Sequence, residues 1–174
     1  MDWSKKIILL VEDDEKQAEI IIEMVENAGN YKVVWAKDGY EGLAQVKKHS
    51  SFLGFSGNKL SCILLDIRMP NMDGIEFLKR LRKREKRRLF ERYLPVIFLT
   101  AYQEKEYYQA ALCEYACDYL TKPIEQEKLA IVLKKVLEDC DYFSAFELNR
   151  NKMESKIDEY YAAEDAKRAV EDES

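Results

Sequence analysis

Histidine is nearly absent from this 174-residue chain, His49 being its only one. The four cysteines, Cys62, Cys113, Cys117 and Cys140, include no C-x-x-C pair. A zinc site built on His and Cys is therefore excluded as a working reading, and the cysteines read as reduced structural thiols. Long hydrophobic runs are missing too. No apolar stretch approaches the roughly 20 residues of a membrane span, and Met1 to Lys6 leads into a strand-length run rather than a signal-peptide core. The expected setting is cytoplasmic, with no membrane partner.

What is present is enough to build a core. Hydrophobic residues make up 47% of the chain, which suits one domain of ordinary size plus an appendage; two domains with separate cores would be a squeeze. The net charge of −5 is unevenly spread. From Asp139 to Ser174 there are 11 acidic and 5 basic residues, a balance of −6, and the preceding part is left at +1. The boundary is expected there, with a domain over residues 1–139 and an acidic helical tail over 140–174.

Along the first part, short apolar runs alternate with helical periodicity. "KKIILLV" (Lys5 to Val11) reads as a strand buried on both faces. The helix that follows carries Ala18, Ile21, Ile22, Val25 and Ala28 on one stripe, with acidic residues in its first turn and Gly29 placed to end it. "YKVVWA" is a second strand, "GYEGLAQVKKH" a second helix and "SCILLD" a third strand. The turn chemistry of "MPNMDG" then opens a helix with Ile75, Leu78 and Leu81 and a basic face. "PVIFLT", "QEKEYYQAALCEYA" and "CDYLT" read as strand, helix and strand. A last helix after Pro123 carries Leu129, Val132, Leu133, Val136 and Leu137. Such alternation predicts an α/β fold, a doubly wound, five-stranded parallel sheet covered on both sides, with ligands at the carboxyl ends of the strands.

At those ends the sequence places Glu12, Asp13 and Asp14 after strand one, Asp66 at the tip of strand three, Thr100 at strand four and Lys122 just after strand five. Clustered carboxylates raise one another's pKa unless a cation neutralises them, and oxygen ligands without His or Cys favour Mg2+. A metal, a lone ammonium and a hydroxyl suit a phosphoryl group. Asp66 is the candidate nucleophile, forming an acyl phosphate. Asp14 reads as a helix cap.

"LLVEDD", "LLDIRMPNMDG", "FLTA" and "DYLTKP", in this order at four strand ends, closely resemble the CheY-like receiver domain of two-component response regulators, over about Lys5 to Asp139. The resemblance implies a flavodoxin-like strand order 2-1-3-4-5. It implies Asp66 as the phosphorylation site, and Mg2+ held by Glu12, Asp13, Asp66 and the backbone carbonyl of Arg68. Lys122 would pair with the phosphoryl group, and Thr100 and Tyr119 would act as switch residues. The Lys122–Pro123 bond is usually cis in such domains. The implied partner is a sensor histidine kinase or histidine phosphotransfer protein. The implied role is a phosphoprotein switch with limited self-phosphorylation and self-dephosphorylation, not a metabolic enzyme, whose output is contact with a protein that the sequence does not name.

The basic run Lys79 to Arg88 reads as a solvated helix end rather than a nucleic-acid surface, since neither a recognition helix nor a stacking platform accompanies it. Beyond the last helix about 35 residues remain, fewer than the roughly 40 that usually fold alone, so no output domain is expected in this chain. The tail's three-four spacing of Val136, Phe143, Phe146, Met153, Ile157 and Tyr160, interrupted by Asp139 and Arg150, suggests a helical extension that pairs with another copy; the competing reading is a helix that breaks near "LNRN" and folds back on the preceding domain. Two other readings stand beside the switch. One is a phosphate-independent scaffold or dimerisation module. The other is an aspartyl-nucleophile phosphotransferase, whose "DxDxT" pattern "VEDDE" lacks.

Overall fold

The computed structural model describes residues 5–50, 59–85, 93–101 and 117–138. Among these described residues nine elements follow in order: β1 (Lys6–Val11), α1 (Glu15–Ala28), β2 (Tyr31–Ala36), α2 (Gly39–His49), β3 (Leu60–Asp66), α3 (Gly74–Glu85), β4 (Val96–Ala101), β5 (Asp118–Lys122) and α4 (Gln126–Glu138). The expected helix between β4 and β5, the 140–174 tail and most of the stretch before β4 lie outside the described residues.

All strand pairs are parallel, in the order β2-β1-β3-β4-β5. The expected doubly wound sheet is therefore the observed one. Alternate residues of each strand feed opposite layers, as the pleat requires. Leu9, Val11, Ile63, Leu65, Val96 and Phe98 pack with Val46 of α2 and Phe77, Leu78 and Leu81 of α3. Ile8, Leu10, Cys62, Leu64, Ile97 and Leu99 pack with Ala18, Ile21 and Val25 of α1 and Leu129, Leu133 and Val136 of α4. The stripes expected for α1 and α4 thus face one layer. Because β1, β3 and β4 lie in the middle of the sheet, covered on both faces, they read as continuous apolar runs.

The helix starts are set by short acidic caps at the carboxyl ends of the strands. Asp14 accepts from the Gln17 amide, Asp38 from Glu41 and Asp73 from Glu76, at 3.0, 2.8 and 2.7 Å. The cap reading of Asp14 holds. Gly29 ends α1 in extended backbone, with φ 171°. Glycine is needed there for space, because a Cβ would come within 2.8 Å of the Tyr31 ring.

The basic run follows expectation at Arg80 and Lys83, which are exposed, and departs from it at Arg82 and Glu85. Arg82 and Glu85 are both buried and paired, Arg82 Nη1 lying 2.7 Å from Glu85 Oε2. The same nitrogen donates to the Leu94 carbonyl at 3.0 Å, and the Leu94 amide donates to Glu85 Oε1 at 2.9 Å. The guanidinium lies 5.4 Å from the Tyr93 ring centroid. These two charges are a pin that aligns the chain before β4, not part of a solvated helix face. Pro95, which has no N–H, then enters the sheet through its carbonyl, accepting from Ile63 at 2.9 Å.

Candidate functional site

Three consecutive acids after β1 acquire three different environments. Glu12 extends the β1–β2 ladder by one step, its amide donating to the Ala36 carbonyl at 3.1 Å, and its own carbonyl accepts from Trp35 Nε1 at 2.9 Å. Held at both backbone groups, its side chain is buried. Asp13 is exposed beside it, and Asp14 caps α1.

Asp66 is the last residue of β3 and pairs in register with Leu99 of β4. Only 7% of it is exposed, so this carboxylate sits at the rim rather than in open solvent. The following loop turns back sharply. Asn71 has φ 67°, and the Gly74 amide donates to the Ile67 carbonyl at 2.8 Å. A Cβ on Gly74 would overlap the Asp66 carbonyl and the Ile67 Cα, so only glycine lets α3 start against the end of β3. The turn reading of "MPNMDG" did not show this contact.

Lys122 is the last residue of β5 rather than the first beyond it. Although β4 lies between β5 and β3, the Lys122 Nζ reaches 3.1 Å from Asp66 Oδ2 and 2.8 Å from Glu12 Oε2. The Lys122–Pro123 bond is cis, as the resemblance implies. Thr100 is buried at the end of β4, opposite Thr121. Tyr119, three residues before Lys122 in β5, is 39% exposed and stands at the surface. Arg68 is exposed two residues beyond Asp66.

The electrostatics are those of a crowded anionic site with one ammonium bridging it. Burial raises the Glu12 pKa; its hydrogen bond to Lys122 opposes this and the Asp66 charge reinforces it. Burial likewise raises Asp66, with Lys122 lowering it and Asp13 raising it. Burial would lower Lys122, but the hydrogen bond to Glu12 and the charges of Asp66 and Glu12 hold it above its ordinary value. Side-chain oxygens of Glu12, Asp13 and Asp66 lie within 4.8 Å of one another. Glu12 Oε1 is buried with no hydrogen-bond partner. An all-oxygen donor set with one oxygen left unsatisfied fits a hard divalent cation. Sequence reasoning placed these residues on one rim, but it paired Lys122 with a phosphoryl group and did not foresee its bond to Glu12.

A five-stranded 2-1-3-4-5 sheet with this carboxylate rim defines a receiver domain. The family profile "Response regulator receiver domain" matches residues 8–134. The chain belongs to the response regulator receiver domain family of two-component systems. Among curated relatives, the transcriptional regulatory protein ZraR of Klebsiella oxytoca is 33% identical over 130 residues, covering 75% of this chain and 26% of that protein. The probable methanogenesis regulatory protein FilR2 of Methanothrix harundinacea is 31% identical over 134 residues, covering 76% and 81%. The chain therefore spans about a quarter of ZraR and most of FilR2. Among solved structures, chemotaxis protein CheY4 of Vibrio cholerae superposes with a TM-score of 0.62 at 28% identity, covering 77% of this chain and all of that one. A putative response regulator from Chloroflexus aurantiacus gives 0.64 at 29%, covering 77% and 98%.

Proposed function

We propose that this chain is a phosphorylation switch that accepts a phosphoryl group on Asp66 from a sensor histidine kinase or histidine phosphotransfer protein. The observation that carries this is the position of Asp66. A strand-end carboxylate lies within 3.1 Å of Lys122 and shares a 4.8 Å cluster with Glu12 and Asp13.

In the reaction a carboxylate oxygen of Asp66 bonds to phosphorus as the bond to the donor's histidine nitrogen breaks, and the imidazole leaves with the electron pair. Lys122 gives up its hold on the ionised Asp66 and pairs with a phosphoryl oxygen, while Glu12 keeps the ammonium in place. The Thr100 hydroxyl donates to another oxygen, and Tyr119, half in solvent, repacks with it. Glu12, Asp13, Asp66 and the Arg68 carbonyl would hold Mg2+. When bound, the ion neutralises charge that builds on the phosphoryl oxygens. The added charge, close to two units, biases the surface around Thr100 and Tyr119 towards a protein partner. On this reading the chain is a signalling switch in the cytoplasm, not a metabolic enzyme. Among the described residues no helix is long and apolar enough to cross a membrane.

Intact-mass spectrometry after incubation with Mg2+ and acetyl phosphate tests the proposal. One added phosphoryl mass is expected, lost without Mg2+ and lost in Asp66→Asn. No addition to the folded wild-type protein, with beryllofluoride binding also absent, overturns it.

A further inference from the structure

The end of the sheet opposite the carboxylate rim is cationic. Lys32 near the start of β2, Lys47 and Lys48 in the last turn of α2 and Lys59 just before β3 are all exposed. They converge on one place: the Lys59 amide donates to the His49 carbonyl at 3.0 Å, and the charges that act most strongly on the His49 imidazole are Lys48, Lys59 and Lys32. Arg84 of α3 brings a guanidinium to the same corner, its Nη2 lying 3.3 Å from Ser50 Oγ.

The last helix delivers the chain beside this edge. Lys6 Nζ donates to the Leu137 carbonyl at 2.9 Å, and the Glu138 charge acts on the hydroxyl of Tyr31, the neighbour of Lys32 in β2. Here a groove of about 440 Å³ opens between α1 and α4, lined among others by Lys6, Gly29, Tyr31, Ile131, Lys134 and Glu138. Ile131 is 66% exposed, so the groove has an apolar wall facing outward. The residue that lines its end, Glu138, is also the one from which the acidic segment departs.

That segment, residues 139–174, lies outside the described residues, but its composition complements this surface. It holds 11 acidic and 5 basic residues, with Phe143 and Phe146 within its first ten positions. We infer that it docks back under the sheet, with Phe143 and Phe146 filling the groove between α1 and α4 and its carboxylates facing Lys32, Lys47, Lys48 and Lys59. Ten residues reach about 33 Å when extended, so length imposes no limit. Each exposed ion pair is weak and screened beyond about 8 Å at physiological salt. Tethering compensates, since a covalently attached partner acts at roughly millimolar effective concentration and several weak pairs then suffice. The docked segment covers the basic edge and leaves the Asp66 rim open at the other end.

Zero-length carbodiimide cross-linking of the full chain, on an equal mixture of 14N- and 15N-labelled protein, tests this. Amide links between the tail carboxylates and Lys32, Lys47, Lys48 or Lys59 are expected within single-isotope chains, with yield falling about five-fold from roughly 20 to roughly 500 mM salt. The double variant Lys47→Glu, Lys48→Glu should lose the links at Lys32 and Lys59 as well. Lys135 and Asp118, 3.1 Å apart, provide the internal control for cross-linking and for folding of the variant. Control links without tail links overturn the inference. Mixed-isotope tail links overturn it in favour of a second copy as the occupant, the pairing expected from the tail's three-four spacing.

Discussion

Lys122 Nζ donates to Glu12 Oε2 across 2.8 Å, joining residues 110 apart in the chain at opposite sides of the Asp66 rim. The bond makes Lys122 the counter-charge of a buried carboxylate as well as of Asp66. Replacing Lys122 with Met leaves Glu12 and Asp66 without that cation. The expected cost is about 3 kcal/mol of stability in chelator, with partial recovery on adding Mg2+. Urea denaturation with and without Mg2+ measures both.

Glu12 and Asp66 are both held above the ordinary carboxylate range by burial. A folded state that binds a proton more tightly than the unfolded chain is stabilised as pH falls. Without divalent cation, the stability from these groups is therefore fully present below the unfolded values near pH 4. It is lost as pH rises through the folded values. Asp66→Asn removes one charge of the pair, and is expected to raise stability at pH 7 by about 1 kcal/mol and to flatten this pH dependence. A variant less stable than wild type in chelator at pH 7 would contradict the burial argument.

Gly74 touches the backbone of Asp66, the proposed acceptor. Gly74→Ala drives a methyl group into the Asp66 carbonyl and the Ile67 Cα, and neither can rotate away. A loss of about 2–3 kcal/mol is expected, with acetyl phosphate labelling of Asp66 slowed even where the protein stays folded. Denaturation and timed intact-mass measurements separate the two effects.

Arg82 and Glu85 form a buried pair that also hydrogen-bonds the backbone of Leu94. Arg82→Met should cost about 3–5 kcal/mol, because Glu85 is left charged in the core. Arg82→Lys should recover only part of this, since an ammonium lacks the planar fork that serves Glu85 and Leu94 together. Equal stability of the Lys variant and wild type would show that charge alone matters.

Two thiols are inert by burial. Burial raises Cys62 far above its ordinary value and pushes Cys117 up to about 11. Neither should react with iodoacetamide at pH 8 in the folded protein, and both should react after unfolding. Peptide mapping of the alkylated protein reads each site separately.

Much of the fold was legible because its signals are local. A strand buried on both faces, such as Ile63–Leu65, must be apolar throughout, and Asp14 marks the start of α1 by its own chemistry. The rim residues were legible for another reason: in a parallel sheet the ligand-facing positions are the strand ends, which can be counted from the sequence. Arg82 was misjudged because a charge inside a basic run looks like its neighbours. Its burial depends on where Tyr93 and Leu94 return to the sheet.

The sequence by itself determined the layering, the helix starts and the set of chemical groups at the rim, since each follows from periodicity or from contacts within a few residues. Only the tertiary structure decided how those groups share charge. The Lys122 side chain crosses β4 to reach both Glu12 and Asp66, and Trp35 fixes the Glu12 backbone from β2. The absence of a side chain on Gly74 lets α3 close against Asp66. Electrostatic energies depend on separations of a few ångströms between residues distant in the chain, and strand order and helix packing alone set those separations.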